Sequence, residues 1–297
     1  MKKMSWQGRI MKASSELVSK QQKNRVQSVS KQRDQEKQLA KLQPIPKGIT
    51  LKQFTLFGHL IEHLQAVPNS DKIIMYIHGG AYFKGSSWSH RALTTRLAQL
   101  TNASVYVINY SLAPETPFPG ALVDTVIFYE WLAGKYPDLP IHIVGDSAGG
   151  GLSYATVAVL RDKHLHMPHS LTTLSPWTDL SFTLKRTQAT DPVITLAELQ
   201  AGAKAYADGH SVQSAKISPV FENLRGFPPT LIQVGEDELL LIDSIAMHEK
   251  LKTAQVPVEF EIFPKMWHVF QLAAPFVPES EAAIKKIVNF IEKHNEK

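Results

Sequence analysis

The 297-residue chain reads as an α/β protein: a mostly parallel eight-stranded sheet with helices on both faces. Three observations predict this. From about residue 48 onward, short strand-like runs alternate with helix-like runs, the pattern of a sheet wound by crossover helices. Two of the strand-like runs end in glycine-rich turns, at Gly79-Gly80 and around Gly145–Gly150. The composition is 43% hydrophobic, enough for a sizeable buried core.

In chain order, residues 1–47 come first as a polar, basic arm. Ile10, Met11, Leu17 and Val18 recur there at near-helical spacing, and Pro44 and Pro46 punctuate its end. The compact domain is expected over 48–297. Its first strands, 49–57 and 59–66, turn near Gly58 as an antiparallel pair. Further strands are predicted at 73–77, 105–109, 141–144, 170–174, 230–234 and 258–263. Helices are predicted at 90–100, 121–132, 148–162, 241–254 and 279–293. One interval breaks the alternation: more than fifty residues separate the strands at 170–174 and 230–234. A long excursion of that kind is usually functional, so residues 177–216 are read as an inserted lid segment.

Composition excludes several function classes. With no cysteine there is no disulfide, no thiolate metal site and no cysteine nucleophile. The +5 net charge is local: residues 1–47 carry twelve basic and three acidic side chains, leaving −4 for the rest. No groove-binding element accompanies the basic arm, so no nucleic-acid role is expected, and its charge reads as a solvated helical face. No apolar run is long enough to cross a membrane or form a signal peptide, so no stable membrane insertion is expected and the location is read as cytoplasmic. The histidine cluster His164, His166 and His169 has no carboxylates at ligand spacing, so no metal site is assigned.

Chemistry concentrates in three places. Gly145-Asp146-Ser147-Ala148-Gly149 matches G-x-S-x-G between a strand and a helix, the context that makes its serine an exposed nucleophile on a tight turn. The helix starting at Ala148 aims its positive end at that serine. The loop His78-Gly79-Gly80-Ala81 follows the 73–77 strand, where backbone N–H groups can stabilise an oxyanion. His268 lies beyond the last strand with one helix remaining, where the order Ser, Asp or Glu, His places the base. The acid must end a strand between them. Glu236-Asp237-Glu238 follows the 230–234 strand, and Asp237 is favoured there over its glutamate neighbours, which stay open. Asp191, before Pro192, and Asp243, inside a helix, lack the strand-end position.

The chain resembles the bacterial hormone-sensitive-lipase-like esterases over nearly all of 73–270. The likeness rests on His78-Gly79-Gly80-Ala81, the 109–115 segment Asn-Tyr-Ser-Leu-Ala-Pro-Glu, Pro117-Phe118-Pro119 with Ala121 and Asp124, and the serine elbow. Ser111 stands where such proteins usually have arginine. The resemblance implies an α/β-hydrolase fold, a helical lid built from the N-terminal arm and the insert, and no cofactor. It implies oxyanion donors at Gly80, Ala81 and Ala148, with Gly79 shaping the loop.

The expected activity is a serine carboxylesterase acting on a small-molecule ester through Ser147, His268 and Asp237. An amidase or arylformamidase on the same triad is the alternative, and a non-catalytic small-molecule receptor the more distant one. Tyr82, Phe83, Trp88, Trp177, Tyr206 and Trp267, with Phe182, are expected to wall a pocket that fits short acyl chains. The 258–263 strand is expected at the sheet edge, where a homodimer could form.

Overall fold

The computed structural model describes residues 4–23, 29–31, 33–34, 38, 45–186 and 191–295. Parts of the expected arm and residues 187–190 of the expected insert therefore lie outside the described residues.

Eight strands form one sheet: β1 (Thr50–Leu56), β2 (His59–Gln65), β3 (Ile73–Ile77), β4 (Ser104–Ile108), β5 (Ile141–Asp146), β6 (Ser170–Leu174), β7 (Thr230–Gly235) and β8 (Val258–Phe263). Their order is β1-β2-β4-β3-β5-β6-β7-β8. The β1–β2 and β2–β4 pairs are antiparallel, and all others are parallel. The expected strand count, mostly parallel pairing and edge position of the last strand all hold.

The helices are α1 (Trp6–Lys23), α2 (Arg91–Thr101), α3 (Gly120–Lys135), α4 (Ser147–Asp162), α5 (Leu196–Ala207), α6 (Leu241–Thr253) and α7 (Pro278–Lys293). The period of two along each strand sorts side chains between two layers. Ile73, Met75 and Ile77 face the layer holding Phe128, Leu152 and Met247. Ile74 and Tyr76 face Leu93 and Leu97 of α2 and Ile284, Ile287 and Ile291 of α7.

Helix α5, in the stretch expected as an insert, is not among the helices predicted from the sequence. Its start carries a capping signature: the Thr195 hydroxyl accepts the Glu198 N–H at 3.1 Å. The root of the insert is held by Asp243, a buried carboxylate that accepts the Thr178 and Asp179 N–H groups and pairs with Arg186. That contact gives Asp243 a structural place away from the serine.

Helix α1 docks beside the loop that follows β8. The Ser5 N–H and hydroxyl donate to Glu279 at 2.6 and 2.7 Å, and Met4 and Met11 pack against the cluster of Met266, Trp267 and Phe270. Lys12 donates to the Asp237 carboxylate at 2.5 Å and to the Lys265 carbonyl at 3.2 Å. Further along the arm, Arg33 donates to the Phe83 and Ala113 carbonyls at 2.7 Å each and pairs with Glu115. Ile10 and Leu17, part of the helical spacing seen in the sequence, stay exposed. Among the described residues no helix is long and apolar enough to cross a membrane.

Candidate active site

The parallel strands deliver their carboxyl ends to one rim of the sheet, and the candidate residues gather there. Ser147 lies at the junction of β5 and α4 with φ of 52°, a left-handed conformation that costs an L-residue roughly 1–2 kcal/mol. Close packing around the turn holds it. A Cβ on Gly149 would sit 2.1 Å from the Ile77 carbonyl oxygen, so only glycine lets the helix start this near β3.

His268 Nε2 lies 2.9 Å from Ser147 Oγ, and both residues are buried. Behind the imidazole, Nδ1 faces Glu238 Oε1 at 3.4 Å. Such contacts are commonly long before substrate binds. The other carboxylate oxygen of Glu238 accepts the Gly235 N–H and the Ser175 hydroxyl, each at 2.8 Å. The Ser175 hydroxyl in turn accepts the Val269 N–H at 3.1 Å, tying Glu238 to the loop that carries His268.

This corrects the expected acid by one residue. Asp237 turns outward, 39% exposed, with its carboxylate on Lys12. Its backbone N–H donates to the Met266 carbonyl, which fixes the loop with Glu238 facing inward. After β7 ends at Gly235, the chain makes a tight turn, and a side chain three residues on folds back over the strand end. Two signals in the sequence point that way: the i to i+3 spacing from Gly235, and the extra methylene that lets a glutamate reach back. Asp191, considered as an acid, accepts the Val193, Ile194 and Leu239 N–H groups. It fastens the insert to the residue next to Glu238.

Electrostatics suit a general base. Burial alone would lower the His268 pKa, but the Glu238 carboxylate, helped by Asp191 and Asp146, reverses this and leaves it raised. Burial pushes the Glu238 carboxyl up, against the opposing pull of His268 and Ser175.

The 78–81 loop is held by Asp146, the residue before Ser147. Asp146 Oδ1 accepts the Gly79 N–H at 3.0 Å and the Tyr76 hydroxyl at 2.7 Å, and Oδ2 lies 3.2 Å from His90 Nε2. Burial works against the Asp146 charge, yet His90, Tyr76 and His78 together hold its pKa below the ordinary value. The Gly79 N–H is thus spent on Asp146. The Gly80 carbonyl accepts the Phe83 and Lys84 N–H groups, closing the loop around positive φ values at Gly80, Ala81 and Tyr82. Ala148 stands at the first turn of α4, next to Ser147. His78, stacked on Tyr110 at 4.3 Å, is buried, and burial together with His90 drives its pKa down to about 4. It anchors the loop and cannot carry a proton at neutral pH.

A cavity of about 220 Å³ opens over Ser147 and His268. Its apolar walls are Val193, Ile194 and Leu199 from the insert, and Val269 and Leu272 beyond the base. The ion pair of Lys84 and Glu198 also borders it. None of the expected aromatic walls lines this space, a second correction. Tyr82 stacks on Tyr206 at 3.8 Å beneath α5, and Trp177 is fully buried beside Tyr82 and Phe182. Phe83 belongs to the same core, and Trp267 packs with Met266 and Phe270. Trp88 is half-buried away from the cavity. These rings support the loops from behind. Their bulk was visible in the sequence, but the side of the loop they face was not. Asp124, near which arginine would be usual, accepts the Ser111 N–H at 2.8 Å and lies 3.2 Å from His59. Among the described residues no cluster of metal-ligating side chains occurs.

A profile of the α/β-hydrolase fold family matches residues 74–272. An esterase of Acinetobacter venetianus is 37% identical over 259 residues, covering 85% of both chains. An acetyl-hydrolase of Streptomyces hygroscopicus is 35% identical, covering 80% of this chain and 81% of its own. The crystal structure of an esterase from the bacterial hormone-sensitive lipase family superposes over the whole of both chains with a TM-score of 0.91 at 32% identity. That of EstE5 soaked with p-nitrophenyl butyrate does so at 0.88 and 33% identity, covering 98% of this chain and 99% of its own. With the expected fold present, the chain belongs to the α/β-hydrolase fold family as a hormone-sensitive-lipase-like esterase, a carboxylic ester hydrolase.

Proposed function

We propose that the protein hydrolyses short-chain acyl esters through a Ser147–His268–Glu238 triad and an acyl-enzyme. The observation that carries this is the run of contacts from Ser147 Oγ through the His268 ring to the buried Glu238 carboxylate, at the floor of a small, largely aliphatic cavity. His268 Nε2 takes the Ser147 proton as Oγ attacks the ester carbonyl carbon. Glu238 holds the proton on Nδ1, so that Nε2 presents its lone pair, and it stabilises the imidazolium that forms. The Gly80, Ala81 and Ala148 N–H groups receive the negative charge on the former carbonyl oxygen. As the tetrahedral intermediate collapses, the C–O bond to the alcohol breaks and His268 returns the proton to the leaving oxygen. Water, deprotonated by the same nitrogen, then attacks the acyl carbon and frees the acid and Ser147.

The substrate class follows from the walls. About 220 Å³ bounded by Val193, Ile194, Leu199 and Leu272 accommodates an acyl chain of roughly two to six carbons, each methylene adding about 0.8 kcal/mol while it fits. Val193, Ile194, Glu198 and Leu199 of the insert border the site.

Specificity constants for a series of p-nitrophenyl esters, measured beside an aryl formamide, test the reading. The expected optimum lies at short acyl chains, with the formamide turned over poorly and Ser147→Ala inactive but folded. An optimum at about ten carbons, or formamide turnover above that of every ester, would overturn it.

A further inference from the structure

A second concavity lies at the opposite end of the sheet, at the amino ends of β3 and β4, with a volume of about 510 Å³. It takes no part in the ester chemistry. Ile73 at the start of β3 lines it, while Gly79 beyond the end of β3 lines the catalytic cavity, so the two are separated by roughly 20 Å at the rise of a strand.

Strand register builds its floor. Lys52 of β1 is paired with His63 of β2, and His63 with Tyr106 of β4, so these side chains share one face. The His63 ring stacks on Tyr106 with centroids 4.1 Å apart and planes 6° from parallel. Tyr136 and Phe54 complete a flat, unsaturated wall. Behind this wall the His63 ring is 9% exposed, with its Nε2 shut off from solvent.

Charge narrows the class of ligand. Lys52 and Lys135 border the concavity, and no aspartate or glutamate lines it. Among the described residues neither lysine forms an ion pair, and Lys135 instead lies over the Trp131 ring at 4.5 Å. Both positive charges bear on His63, which burial keeps neutral, with a pKa of about 4. A neutral imidazole leaves Lys52 and Lys135 as the charges that face the concavity. We propose that this concavity binds a small organic anion with a carboxylate on a flat apolar body, its charge set between Lys52 and Lys135 and its body against Phe54 and Tyr136, over the buried His63–Tyr106 stack.

The test uses the full chain with isotopically labelled histidine, titrated with benzoate and, separately, with inorganic phosphate. His63 is assigned by the signal lost in His63→Gln. Because His268 appears in the same spectrum, binding in the catalytic cavity is read apart from binding here. Benzoate should shift the His63 signals saturably, and phosphate should do so only weakly. The double variant Lys52→Ala/Lys135→Ala should weaken benzoate binding about tenfold while melting and ester turnover stay at the wild-type level. A His63 response that never saturates, one unchanged in the double variant, or one that phosphate reproduces at equal concentration would refute the site.

Discussion

Replacing Glu238 by glutamine isolates its role because the structure fixes how the amide must sit. The Gly235 N–H and Ser175 hydroxyl both donate to one carboxylate oxygen, 2.8 Å away, and only a carbonyl oxygen can accept them. The amide NH₂ is then forced into the other position, facing His268 Nδ1. A donor there stabilises the tautomer with its proton on Nε2, which meets Ser147 with no lone pair to accept a proton. Loss of the correct tautomer at a serine–histidine–carboxylate site costs about 10⁴ in kcat, or about 5.4 kcal/mol of activation free energy. The fold should persist, because the variant keeps both inward hydrogen bonds. Asp237→Asn breaks only the partly exposed pair with Lys12, worth about 0.2–1 kcal/mol, so turnover should fall by no more than about fivefold. The assay is kcat and KM on p-nitrophenyl butyrate, with melting temperature alongside. A crippled Asp237→Asn enzyme beside an active Glu238→Gln enzyme would refute the assignment of the acid.

Three further outcomes are expected. The His268 pKa is raised above the ordinary 6.5, and the protonated ring cannot act as base. Activity should therefore be present above that raised value and lost as pH falls through it, and the acid limb of kcat/KM should move to lower pH in whatever activity Glu238→Gln retains. Leu199→Ala should enlarge the acyl cavity and improve longer esters relative to butyrate about fourfold per methylene admitted, at a stability cost of about 2–5 kcal/mol in thermal unfolding. In Gly79→Ala the new methyl would lie 2.3 Å from Asp146 Oδ2 and 2.9 Å from Ser147 Cβ, so kcat should drop about a hundredfold or more as the loop is displaced, and an unchanged kcat would sink the positioning role of Asp146.

What was legible in the sequence divides by the length scale of its cause. The sheet was legible because strand and helix periodicities are written continuously over many residues. Ser147 and His268 were legible because each stands in a fixed place relative to a strand end. The acid was legible only to the segment Glu236-Asp237-Glu238, since which of three adjacent carboxylates points inward is decided by one turn, and that turn is held by Met266 in a distant loop. The pocket walls were the least legible. Tyr82, Trp177 and Tyr206 advertise bulk, but a loop residue's direction depends on tertiary packing that no local pattern encodes. Helix α5, by contrast, was within reach through the Thr195–Glu198 cap.

The atoms assigned to the chemistry and those that shape the cavity come from different stretches of chain. Ser147, Glu238 and His268 hang from the ends of β5, β7 and β8, whereas Val193, Ile194, Glu198 and Leu199 belong to the excursion between β6 and β7. Sequence change in that excursion can alter which molecules enter while the reacting groups keep their framework. The excursion is tied to that framework at Asp191, which accepts the Leu239 N–H at 3.0 Å beside Glu238, and at Asp243, which pairs with Arg186. Descendants of this chain, or chimeras with its relatives, can thus inherit a reaction and a clientele separately, provided that those two ties remain.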